Sequence, residues 1–145
     1  MKKNLTTCLT SFSALIFATS VAFSSPSYLC IADHATGFFF KNGEWQPATF
    51  IVDHKKYIVS VKKPVARDLP RQYVVTRWGD DISNMLCGED SPTDYGIIVC
   101  EGGTSFRLDL NSMRYMSWYP IGYTDGENTN DNTPWIEIGT CSSFK

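Results

Sequence analysis

The chain has 145 residues, with 15 acidic against 13 basic side chains and five cysteines, which is room for one domain of ordinary size and not for two. Hydrophobic residues at 43% with charged residues at 19% supply the material for a core, so the chain is neither a disordered tail nor an acidic solvating segment. A formal net charge of −2 excludes a protein whose main partner is nucleic acid.

At the start of the chain, Lys2 and Lys3 precede an apolar stretch, Ala14-Leu15-Ile16-Phe17-Ala18, that runs on to Val21-Ala22-Phe23. This is the layout of a secretory signal peptide, and the small residues Ala22 and Ser24 predict cleavage after Ser24. A membrane anchor needs about 20 apolar residues, whereas Thr19, Ser20, Ser24 and Ser25 interrupt this run. Residues 1–24 are therefore expected to be a signal peptide and residues 25–145 a single β-domain, periplasmic or secreted, with no membrane span left after cleavage. Loss of Lys2 and Lys3 leaves 11 basic against 15 acidic side chains, a mature charge of 11 − 15 = −4.

Cleavage also removes Cys8 and leaves Cys30, Cys87, Cys100 and Cys141, an even number in a chain bound for an oxidising compartment, where disulfides are the expected state. Of the three connectivities open to four cysteines, Cys87–Cys100 with Cys30–Cys141 is preferred, because the first closes a local turn and the second ties the ends together. In the chain-entropy treatment the two loops are worth about 3 and about 4.5 kcal/mol. A four-cysteine zinc site usually carries CxxC pairs, and the sequence has none.

Strand signals dominate from Gly37 onward, and a helical period is hard to find in the mature chain. Phe38-Phe39-Phe40 leads into Lys41-Asn42-Gly43-Glu44-Trp45, where Asn-Gly supplies the two positive φ angles of a tight hairpin turn. Thr49–Asp53 and Tyr57–Val61, rich in β-branched and aromatic residues, are expected to form a second pair around His54-Lys55-Lys56. Lys62 to Arg71 holds Pro64 and Pro70, which deny ladder hydrogen bonds, and reads as an irregular exposed connection. Gln72 to Trp78 is another strand, and the stretches Gly79–Asp81 and Gly88–Asp94 are polar links on either side of Cys87.

Gly96–Cys100, the Glu101-Gly102-Gly103 turn and Thr104–Leu110 make a hairpin in which Phe106, Leu108 and Leu110 alternate with Ser105, Arg107 and Asp109. Met113–Tyr119 follows. The last strand, Pro134–Thr140, puts Ile136 and Ile138 on one face and Trp135 and Glu137 on the other. Seven to nine short strands with mostly short links specify an all-β fold, a single antiparallel sandwich or small barrel stapled by disulfides. The pattern does not choose between these two.

Candidate sites are few. The loop Asp125-Gly126-Glu127-Asn128-Thr129-Asn130-Asp131-Asn132 collects oxygen donors of the kind calcium takes, but its spacing fails the EF-hand pattern, and Asn and Asp in such loops commonly bond to their own backbone. Asp33-His34 and Asp53-His54 pair a carboxylate with an imidazole, yet neighbours on a strand point to opposite faces, which spoils general-base geometry. No serine lies in a GxSxG elbow. Lys62, Lys63, Arg67 and Arg71 offer a basic stretch that Asp68 dilutes. Among the aromatics, Trp45, Trp78 and Trp135 suit a core, while Trp118, Tyr119 and Tyr123 approach the polar loop and are the candidate ligand-binding residues. No catalytic residue, metal ligand or cofactor is assigned.

Cys30-Ile31-Ala32-Asp33-His34-Ala35-Thr36-Gly37-Phe38, together with Ile121-Gly122-Tyr123-Thr124-Asp125-Gly126 and Asp131-Asn132-Thr133-Pro134-Trp135-Ile136-Glu137-Ile138-Gly139-Thr140-Cys141, resembles a group of small uncharacterised secreted proteins of Gram-negative bacteria. The resemblance spans the mature chain and implies an exported bacterial protein with no activity to transfer. The expected function is that of a non-enzymatic β-domain in the bacterial envelope that binds a small ligand or a protein partner. The alternative is a small envelope hydrolase.

Overall fold

The computed structural model describes residues 26–62, 72–82 and 85–144. The predicted signal peptide and residues 63–71 of the basic connection lie outside the described residues.

Among the described residues, nine strands form one antiparallel sheet: β1 (Ser27–Lys41), β2 (Glu44–Phe50), β3 (Lys56–Lys62), β4 (Gln72–Arg77), β5 (Met85–Leu86), β6 (Ile97–Cys100), β7 (Ser105–Asp109), β8 (Arg114–Tyr119) and β9 (Trp135–Phe144). A one-turn helix, α1 (Ile121–Thr124), links β8 toward β9. The hydrogen-bonded order is β5-β4-β3-β1-β9-β8-β7-β6, with β2 paired to β1 off this path. The two ends of that order meet in a bridge between Cys87 and Cys100, so the sheet is nearly closed into a barrel. Of the two architectures open to the sequence, the barrel is the one adopted.

The strand β1 organises the sheet because it is long, 15 residues against 7 for β2 and 7 for β3. One edge pairs with β9 from Ser27 to Gly37. The other edge carries β3 along Tyr28–Ile31 and then β2 along Ala35–Lys41. The expected pairing of Thr49–Asp53 with Tyr57–Val61 is therefore not made: β2 ends at Phe50, and β3 takes up β1 and β4 instead. Two neighbouring strand signals joined by a short link look like a hairpin, but here a third, longer strand offers both of them a ladder.

β1 also begins at Ser27, well before the first strand signal at Gly37. Its register against β9 shifts between Ala32 and His34, so the buried positions run Tyr28, Cys30, Ala32 and then Ala35 and Gly37. A bulge that changes the parity of burial erases the period of two by which a strand is recognised. The Asn42-Gly43 turn has positive φ at both residues, 56° and 84°, as the sequence predicts. The β6–β7 hairpin also forms as predicted, with Phe106 and Leu108 buried and Arg107 exposed between them.

The barrel interior is filled by side chains. Phe106 stacks on Tyr115 with ring centroids 5.1 Å apart, and Tyr57 meets both edge-on at 6.0 and 5.9 Å. Val59, Val75, Ile98 and Leu108 close around these rings. Both preferred disulfides are formed, Cys30–Cys141 across the β1–β9 ladder and Cys87–Cys100 at the seam. Among the described residues no helix is long and apolar enough to cross a membrane.

Candidate functional site

The last strand alternates as its sequence predicts, but the faces are assigned against hydrophobicity. Glu137 points into the barrel and is fully buried, whereas Ile136 and Ile138 lie on the outside. The reason is the register of β9 between β1 and β8. Gly139, two residues on, must face inward at a point where a Cβ would run into the carbonyl of Ile31 and the ring of Tyr115. With glycine fixed inside, period two places Glu137 inside as well.

Inside, Glu137 Oε1 accepts a hydrogen bond of 2.8 Å from the Tyr115 hydroxyl. Oε2 has no hydrogen-bond donor and is compensated by an ion pair with Lys55 Nζ at 3.2 Å. The same ammonium lies 4.8 Å from the Trp135 ring centroid, so its charge is shared between a carboxylate and an aromatic face. Burial first, and then hydrogen bonding to Glu137 and its charge, push the Tyr115 hydroxyl well above its ordinary pKa. Tyr57 is raised in the same direction, by burial and then by the charge of Glu137. A carboxylate with no exposed atom touches no substrate, so this cluster is a buried polar tie between β8, β9 and the link before β3.

The outer face of the same strands is different. An open groove of about 1080 Å³ runs over β1, β9, β8 and β7. Its floor is Ile31, Met116 and Ile138, exposed by 43, 41 and 45%. Register places His34, Ile138, Met116 and Arg107 in one row across four strands. The next row holds Ile31, Thr140, Arg114 and Asp109. One wall is thus acidic, with Asp33 on β1 and Asp53 in the link that follows β2, and the other basic, with Arg107 and Arg114. Asp109 lies among the arginines; the Asn111 backbone N–H, ahead of the Ser112 hydroxyl, holds its carboxyl below the ordinary value.

The bulge in β1 corrects one expectation. Asp33 and His34 do not point to opposite faces: both are exposed and both line this groove, because the extra residue lets two successive side chains share one side of the strand. The groove itself left little trace in the sequence. Its only signal is the Ile136-x-Ile138 alternation, which by hydrophobicity alone points inward.

The three candidate ligand-binding aromatics are not brought to one place. Trp118 lies on the outer face, with the Arg107 guanidinium 5.7 Å from its ring centroid. Trp118 and Tyr119 border a small depression of about 210 Å³ with Phe38 and Ile136. The Tyr119 hydroxyl donates to Asn132 Oδ1 at 3.1 Å. Tyr123, on α1, packs edge-on against Trp45 at 5.8 Å.

The polar loop is tied to the β1–β2 hairpin. Asn130 accepts from the Phe40 N–H at 2.6 Å and donates to the Phe40 carbonyl at 2.8 Å, and Trp45 Nε1 donates to Asn128 at 3.2 Å. Asn128 and Asn130 thus bond to the β1–β2 hairpin rather than to their own loop's backbone. Glu127 accepts from Asn132 at 2.6 Å. Among the described residues no group of three or more His, Cys, Asp or Glu side chains is arranged to hold a metal ion. His54 is exposed in the turn before β3, and Lys62 is exposed at its end, while Lys63, Arg67 and Arg71 lie outside the described residues. No protein family, curated protein or solved structure matches the chain.

Proposed function

We propose that the protein is an exported, non-enzymatic β-domain of the periplasm or the exterior that binds a protein partner through the outer face of β1, β9 and β8. The observation that carries this reading is the division of the barrel into a filled interior and an apolar outer groove. Aromatic rings and a buried ion pair occupy the space where a barrel would hold a small ligand, while Ile31, Met116 and Ile138 remain in solvent. Contiguous exposed apolar residues rimmed by charge are characteristic of interaction surfaces. Export is supported by the basic and apolar leader together with two disulfides, which persist in oxidising compartments.

Native mass spectrometry of protein purified from the periplasm tests this. The wild-type chain should carry an additional bound species, and Met116→Lys with Ile138→Lys should remove it while leaving the melting temperature nearly unchanged, since both side chains are exposed. The same bare mass from both proteins would overturn the reading.

A further inference from the structure

We propose that the occupant of the groove is a second copy of this chain, seated by a two-fold axis between Ile138 and Met116; the inference rests on the outer-face reading above. The argument is charge and register. In the row His34–Ile138–Met116–Arg107, a two-fold that lies between the two copies and runs parallel to the strands sets β9 against β8 and β1 against β7. Ile138 then meets Met116 of the other copy, so the apolar centre covers itself. The β1 end, where the bulge turns Asp33 outward beside His34, falls on the other copy's Arg107.

In an isologous interface each such contact is made twice, and one surface must carry both halves of every pair. This face does so: its acids, Asp33 and Asp53, stand on one wall and its arginines, Arg107 and Arg114, on the other. Asp109 offsets part of the basic wall and leaves an arginine excess there. In the neighbouring rows the same rotation sets Ile136 on Trp118 and Thr140 on Arg114 of the other copy, which extends the apolar centre on one side and lays the aliphatic stem of Arg114 over an uncharged side chain. A partner with a single-sign surface would satisfy one wall and oppose the other.

The test is sedimentation velocity on the periplasmic protein at roughly 100 μM, well above the micromolar constants at the weak end of specific interfaces. Wild type should sediment with twice the chain mass. Arg107→Asp with Arg114→Asp, and separately Asp33→Arg with Asp53→Arg, should each sediment as monomers, because each makes the two walls alike. Mixed in equal amounts, the two variants should recover the dimer mass. All four positions lie on the outer face, so each variant is expected to keep its circular dichroism; if one does not fold, Met116→Lys makes the same comparison with wild type. A monomeric wild type, or a dimer that the charge changes leave intact, overturns the second copy. A foreign species lost on Met116→Lys, with the purified chain monomeric, overturns the second copy and leaves the outer-face reading standing.

Discussion

Glu137 shows how one buried residue sets demands on its neighbours. Removing a carboxylate from water costs several kcal/mol unless a counter-charge and hydrogen bonds compensate, and here Lys55 and Tyr115 share that role. Lys55→Met is expected to cost about 3 kcal/mol in urea unfolding, at the low end for a broken buried pair because the lysine is partly exposed. Adding Glu137→Gln should recover most of the loss, since the amide still accepts from Tyr115 and carries no charge. Simple additivity of the two changes would show that the pair does not interact. The tyrosines give a pH signature. Their folded pKa values lie above the ordinary value near 10, so the stability they contribute is fully present below that pH and is lost as pH rises above it. Tyrosinate absorbance should therefore show a late step that includes Tyr57 and Tyr115, coincident with unfolding. Tyr57→Phe and Tyr115→Phe should each take one side chain out of that step, and a step that precedes unfolding would contradict the burial argument.

At the scale of elements, the bulge in β1 separates two ladders on one strand edge. The β3 ladder stops at Ile31 and the β2 ladder starts at Ala35, and the Ala32 N–H donates to the Lys55 carbonyl at 3.1 Å between them. This contact brings the link after β2 against β1 and so places Lys55 over Glu137. The β1–β2 hairpin extends past the part of β1 that pairs with β9, and its end is held by the loop between α1 and β9. Asn130 acts there as a short substitute strand, giving Phe40 both a donor and an acceptor. Asn130→Ala removes two hydrogen bonds and is expected to cost about 1–2 kcal/mol. Exchange at the Phe40 amide should rise by about tenfold, measured by native-state hydrogen exchange. Unchanged protection at Phe40 would show that the hairpin holds itself.

At the scale of the whole molecule, the two disulfides do different work. Cys30 and Cys141 face each other inside a ladder that runs from Ser27 to Gly37, so their bridge reinforces strands already paired. Cys87 and Cys100 join the two ends of the sheet order, where closure otherwise depends on the Gly88 N–H to the Val99 carbonyl at 2.9 Å and on Ser91 Oγ, which both donates to and accepts from the Val99 backbone. The unfolded chain feels only loop length: the bridges span 111 and 13 residues of separation. Cys30→Ser with Cys141→Ser should accordingly cost more in global stability, about 4.5 against about 3 kcal/mol for Cys87→Ser with Cys100→Ser. Local opening should run the other way. Only the Cys87/Cys100 change is expected to raise exchange at Gly88 and Val99, and equal exchange there in both variants would remove the seam from the account.

The sequence alone determined the all-β class, the Asn42-Gly43 turn and the β6–β7 hairpin, and it favoured, among three connectivities, the cysteine pairing that forms. Each of these is written locally, in turn chemistry, in period-two alternation or in cysteines placed at the ends of the strand signals. Alternation also separated Ile136 and Ile138 from Glu137, but it could not say which set faces the core, because either face of an isolated strand satisfies the same pattern. That choice was made by Gly139, which fits only where β9 presses on Ile31 and Tyr115, and by Lys55, delivered from another part of the chain. The barrel rather than a sandwich, the splitting of one edge of β1 between β2 and β3, and the outward turn of both Asp33 and His34 were likewise decided only by tertiary structure. The common reason is that register is a relation between strands distant in sequence: a single bulge in β1 reverses which residues are wet, and it leaves no mark on the residues themselves.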